Sequence, residues 1–258
     1  MLSKTEEVWR HLIDGAHHGQ RRWSSVSALA SELGLPSSTT HQDLEEPRGI
    51  GILEIRGAGG LRVLDPGRLL ILWAGRRRLD RDVRDRIIVP AAARTVKASL
   101  DPGNVTLGGF GAVVERLGYN NIADYSTVMV YAEQPASQWM PAFDDSAGMT
   151  EVVVLKPDPL LRRYGRTITL GQAWVDLFRA PGWQASRFVF GLIRNFSTRT
   201  TTLFYTTDQT ERRRAVLERP STLKAVKTPP DPPLFVSHLA NRVATCGAQP
   251  NLTLKHAR

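Results

Sequence analysis

The feature that most restricts this chain is a Gly34-Leu35-Pro36 step between two short segments with helical periodicity. Before it, Val26, Leu29, Ala30 and Leu33 recur at three and four residues, with Ser25 in place to cap them. Gly34 stands where a helix needs a left-handed residue to stop, and Pro36 suits the entry to another helix. That next helix is expected from about Ser37 to Glu46, with Pro47 ending it. Two helices joined by so short a turn cross steeply. They need a small residue at the crossing, Ala30, and an apolar brace, here Leu33, Leu35 and Leu44.

The flanking pattern extends this unit. Val8, Trp9, Leu12 and Ile13 share one face of an earlier helix from Thr5 to Ile13, capped by Ser3 or Thr5 and ended by Gly15. After the pair come a strand candidate, Ile50 to Arg56, a turn, Gly57-Ala58-Gly59-Gly60, and a returning strand, Leu61 to Leu64. Three helices followed by a hairpin predict a winged helix-turn-helix over residues 1–75. Such a unit presents the start of its third helix to the major groove of duplex DNA. The candidate contacts there are Ser37, Ser38, Thr39, Thr40, His41 and Gln42, short hydrogen-bonding side chains beside open backbone amides. Arg56 and Arg62 flank the hairpin turn, and Arg21 and Arg22 precede the second helix, all placed for phosphates. Asp43, Glu45 and Glu46 put negative charge at the far end of the same helix, which keeps a protein–protein adaptor as the competing reading.

From about Ala91 the pattern alternates. Helices are expected at Ala91–Leu100, Phe110–Leu117, Gly171–Phe178 and Ser186–Phe196, and strands at Val105–Leu107, Thr127–Tyr131 and Glu151–Leu155. The charged run from Arg76 to Arg86 reads as a helix extension or a linker. The fold class is therefore α+β, with an α/β domain over 76–219. The run Pro229-Pro230-Asp231-Pro232-Pro233 cannot sit in a helix or central strand, so 220–258 reads as an extended basic tail.

Charge is unevenly spread. Of the net +9, residues 1–90 carry 14 basic and 12 acidic side chains, 91–160 carry 4 and 8, and 161–258 carry 16 and 5. Arg187, Arg194, Arg212, Arg213 and Arg214 make the last third either a second phosphate-contacting face or a dock for an acidic partner. The single cysteine, Cys246, excludes an internal disulfide and a multi-thiolate zinc site. No stretch approaches the about 20 apolar residues of a membrane span, and Met1 to Glu7 carry no signal core. A cytoplasmic protein without cofactor or metal is expected.

Four segments in order, Arg68–Ala74, Thr106–Ala112, Val128–Tyr131 and Thr167–Leu177, resemble the AbiEi family, the antitoxin half of type IV toxin–antitoxin pairs. The resemblance spans about residues 20–195. It implies a DNA-binding repressor of its own operon, an antitoxin domain with a nucleotidyltransferase-like core, and a neighbouring nucleotidyltransferase toxin as partner. A homodimer suits paired half-sites. Catalysis by this chain is not expected. Leu107-Gly108-Gly109 supplies a glycine turn, but Asp124 has no carboxylate at the spacing that holds two metal ions, and Asp144-Asp145 are adjacent. The alternatives are a phage or plasmid regulator whose C-terminal domain senses a ligand or oligomerises, and a nucleotidyltransferase enzyme.

Overall fold

The first helix, α1 (Lys4–His17), opens on a reciprocal cap in which the Ser3 hydroxyl accepts from the Glu6 amide and the Glu6 carboxylate accepts from the Ser3 amide at 2.9 Å. The coordinates are a computed structural model that describes residues 1–57, 60–118, 122–143 and 148–192. All of these belong to one unit, within residues 1–210. Contrary to expectation, α1 runs past Gly15. A Cβ at that position would stand 2.9 Å from the Trp23 indole, so the glycine admits a ring and does not end a helix.

A two-residue strand, β1 (Arg22–Trp23), leads to α2 (Val26–Leu33), capped by Ser25 and closed by Gly34 at φ 68°. Then come α3 (Ser37–Gly49), β2 (Leu53–Arg56) and β3 (Gly60–Val63). Pro47 lies inside α3 and does not end it. Proline has no N–H to give the carbonyl four residues back, that of Asp43. The Trp9 indole donates to that oxygen instead, at 2.9 Å. The three strands form an antiparallel sheet ordered β1-β3-β2. β1 was not anticipated. Gly60 makes it possible, because a Cβ there would lie 2.2 Å from the Trp23 carbonyl oxygen.

α4 (Pro66–Arg76) starts on an Asp65 cap. The charged run that follows splits into a single turn, α5 (Leu79–Asp82), and a strand, β4 (Val83–Val89). α6 (Ala93–Ser99), β5 (Thr106–Leu107), α7 (Gly109–Leu117), β6 (Thr127–Tyr131), β7 (Thr150–Leu155) and α8 (Leu170–Arg179) follow, with a ninth helix, α9, over 183–192. The second sheet is ordered β4-β7-β6-β5, with β6 and β7 parallel and the outer pairs antiparallel. Period-two alternation divides it. Val128, Val130, Val152 and Val154 face Val96 of α6, whereas Met129, Tyr131, Val153 and Leu155 face Phe110, Trp174 and Phe188. The fold is mixed α+β, and no helix among the described residues is long and apolar enough to cross a membrane.

The sequence puts a domain boundary near residue 75, the end of α4. Both α1 and α4 pack on α8, and one apolar core runs from Leu2 to Leu192. Polar groups are sealed into that junction. Both terminal nitrogens of Arg10 reach Asp158 at 2.7 Å, Nη1 also reaches Gln172 Oε1 at 2.9 Å, and the guanidinium lies 4.6 Å from the Tyr164 ring centre. Burial alone would push Arg10 down, but the hydrogen bonds and charge of Asp158 outweigh it and hold its pKa above the usual value. Deeper in, Arg77 donates to Asp176 at 2.8 Å and to Asp82, and the Tyr131 hydroxyl donates to Asp176. Asp14 has no such ion pair among the described residues, and burial pushes it up to about 7, against weaker pulls from a Thr169 hydrogen bond and from Arg10 and Arg116.

Candidate nucleic-acid interface

The turn at Gly34 delivers α3 with Pro36 at its N-cap, and no side chain caps its first turn. Its opening amides are therefore unclaimed by the helix, a setting that suits an anionic oxygen. Ser38, His41, Gln42 and Glu45 are exposed and spaced by three, one and three, so they form one outward stripe. Ser37 and Thr39 are half-buried at its edge, and the Ser37 hydroxyl is 3.2 Å from that of Ser27.

Thr40 does not belong to this face. It is fully buried, with its hydroxyl donating to the Pro36 carbonyl at 3.1 Å. Thr40, Leu44 and Pro47 form the inner row of α3. The spacing from Leu44 back to Thr40 carried this information, because a residue four before a core leucine shares its face.

The acidic end of α3 is largely turned away from the stripe. The Asp43 carboxylate accepts from the Thr5 hydroxyl at 2.6 Å, and Glu46 pairs with Arg76 of α4. Glu45 alone of the three stands on the outward stripe.

The small sheet supplies cations. Arg22 lies directly opposite Arg62 across β1 and β3, both exposed, while their neighbours Trp23 and Leu61 point into the core. Glu54 flanks Arg62 on β2. Arg21 is half-buried, and its pKa is pushed down by burial first and by the Arg62 charge next, with Asp65 opposing. Like charges facing across strands repel, and a bound anion relieves that repulsion. Arg56 is exposed at the hairpin end, paired with Glu54 at 2.8 Å.

Of the remaining predicted contacts, Arg187 is exposed on α9, whereas Arg194, Arg212, Arg213 and Arg214, with the 220–258 tail, lie outside the described residues. Gly108 and Gly109 form a strand-to-helix turn pressed against β6. The Gly108 amide donates to the Met129 carbonyl at 2.8 Å, and Gly109, at φ +46°, would put a Cβ 2.3 Å from the Met129 sulfur. Asp124 is exposed, and Asp144 and Asp145 are outside the described residues.

Arg163 was not anticipated. Its Nη1 donates to the Glu32 carbonyl at the end of α2, 2.9 Å away, tying the segment after β7 to the helix pair. Nothing local marks it, since the partners are 131 residues apart. No family model, curated protein or solved structure matches this chain.

Proposed function

We propose that this chain is a winged-helix transcriptional repressor that reads duplex DNA with the outward stripe of α3. The observation that carries the reading is the division of labour on that helix. Ser38, His41 and Gln42 are exposed beside an uncapped N-terminus, while Asp43 and Glu46 are engaged by Thr5 and Arg76. The first group can donate to and accept from base edges and phosphates, and the second is held off that face, with the Glu46 charge met by Arg76. The Arg22–Arg62 pair, with Arg21 beside it, supplies the sequence-independent part of the attraction.

The test is a gel shift comparing the duplex upstream of the chain's own gene with a random duplex of equal length. The unaltered protein retains the first preferentially. Replacing Ser38, His41 and Gln42 together by alanine removes the preference and leaves the melting temperature in place, because all three are exposed. Equal retention of both duplexes by the unaltered protein overturns the reading.

The antitoxin role, with a nucleotidyltransferase-like second half, rests on the resemblance of four segments. It requires an adjacent reading frame with the glycine-serine turn and paired aspartates of a nucleotidyltransferase toxin. The dimer follows from paired half-sites and requires a two-chain mass in solution.

A further inference from the structure

A cleft of about 360 Å3 opens at the carboxyl ends of the parallel strands β6 and β7. Loops diverge there, and ligands of open sheets with parallel strands enter at that end. One wall is the loop into β5 with the strand's first residue, contributing Asn104 and Thr106; a second is the chain leaving β6, with Glu133; the third is the segment after β7, with Asp158 and Arg162.

The walls are built before any ligand arrives. Asp101 accepts from the Gly103 amide and from Asn104 Nδ2, each at 2.9 Å, which staples the first wall and leaves the Asn104 side-chain oxygen without a described partner. The third wall is held from behind, where Asp158 and Tyr164 grip Arg10 and Arg163 reaches α2. Asp158 is thereby neutralised. The charges left on the cleft are one carboxylate, Glu133, and one guanidinium, Arg162. Both are exposed, and neither side chain has an ion pair among the described residues.

This balance selects against a nucleotide, whose phosphates would meet the Glu133 carboxylate with only one guanidinium to offset them. It also selects against an apolar ligand, which would strip water from both charges without replacing it. A ligand that carries both a cation and an anion satisfies both. We propose that the cleft binds a small zwitterion of the free α-amino-acid type, with its carboxylate on Arg162, its ammonium on Glu133 and the Asn104 oxygen as a further acceptor.

The site does not depend on the DNA reading and is tested without DNA. The full chain is melted with each common free amino acid in turn, and any that raises the melting temperature is titrated by calorimetry. One or a few are expected to bind. Arg162→Met and Glu133→Gln each weaken that binding by about tenfold or more, as loss of a charge-assisted contact does. Arg94→Met, an exposed cation on α6, leaves it unchanged. The proposal is overturned if no amino acid binds, if both cleft variants bind undiminished, or if adenosine monophosphate binds and the amino acids do not.

Discussion

The indole nitrogen of Trp9 donates to the carbonyl oxygen of Asp43, the acceptor in α3 that Pro47 leaves without its helical donor. Two positions that look unrelated in the sequence are therefore one device. The proline deprives the helix of a donor, and a fully buried tryptophan from α1 replaces it, with Arg76 5.3 Å above the same ring. Trp9→Phe keeps most of the ring and orphans a buried carbonyl, at a cost of about 1–3 kcal/mol from that group alone. In a Pro47→Ala background the helix regains its own donor and the same change costs less. Urea unfolding of the four proteins of this cycle measures the coupling, and equal losses in both backgrounds would remove the claim.

Arg10 and Asp158 are sealed in the junction of α1 with the segment after β7, each with a fully buried side chain. A buried ion pair contributes modestly as a pair, but breaking it leaves one charge uncompensated. Asp158→Ala is expected to destabilise by about 3–5 kcal/mol. The double change Arg10→Met with Asp158→Leu should recover much of that, because neither member of the pair is left as an uncompensated buried charge. Denaturant midpoints decide it: a double variant no more stable than Asp158→Ala rules out this account.

Legibility in the sequence followed the range of the interaction. Helix α2 was readable because its cap, its apolar period and its left-handed glycine are all local, and Gly118 closes α7 in the same way at φ 73°. β1 was not, since two residues carry no period and depend on β3, about forty residues on. β4 was hidden by its own chemistry. It is an edge strand whose exposed positions, Arg84, Arg86 and Ile88, alternate with half-buried ones, so charges that guard a sheet edge looked like a linker. At the candidate interface the run from Ser37 to Gln42 gave residue types that suit a groove, and the helical register then removed Thr40 from it. The polar junction was out of reach. Arg10 meets Asp158 and Gln172 across 148 and 162 residues, and no local pattern names such partners.

Asp14 gives the chain a pH dependence of definite sign. Its carboxyl holds a proton up to about 7 in the native state because burial disfavours the charge, and in the unfolded chain it releases that proton near 3.8. Between those values the native state carries the extra proton. Stability therefore falls as pH rises through this window and levels off above it, by at most about 4 kcal/mol from this group. Glu7 and Asp176 are also raised, by burial first, and act in the same direction. Asp14→Asn removes the titration and keeps the shape. It should unfold at a higher urea concentration than the parent at pH 8, and by a smaller margin at pH 5, where only part of the window has been crossed. A parent whose stability climbs from pH 5 to pH 8 in parallel with the variant rules out this assignment.

The two halves of the candidate interface should fail in different ways when damaged. Arg22 and Arg62 face each other across strands, and on the proposed DNA reading their contribution is attraction to phosphate. Removing either one should weaken binding to operator and random duplex alike and reduce the slope of log affinity against log salt by about one. Gln42 and His41 stand on the outward stripe of α3. Gln42→Ala should leave the salt slope unchanged and cost about 1–3 kcal/mol of discrimination between operator and random sequence. Glu45 shares that stripe and carries the opposite charge. Glu45→Gln should therefore tighten binding to any duplex, and most at low salt, where the repulsion it relieves is least screened. Fluorescence anisotropy on both duplexes across a salt series reads all four variants together. If the arginine variants keep the parental slope while Glu45→Gln changes nothing, duplex DNA does not meet this face of the protein.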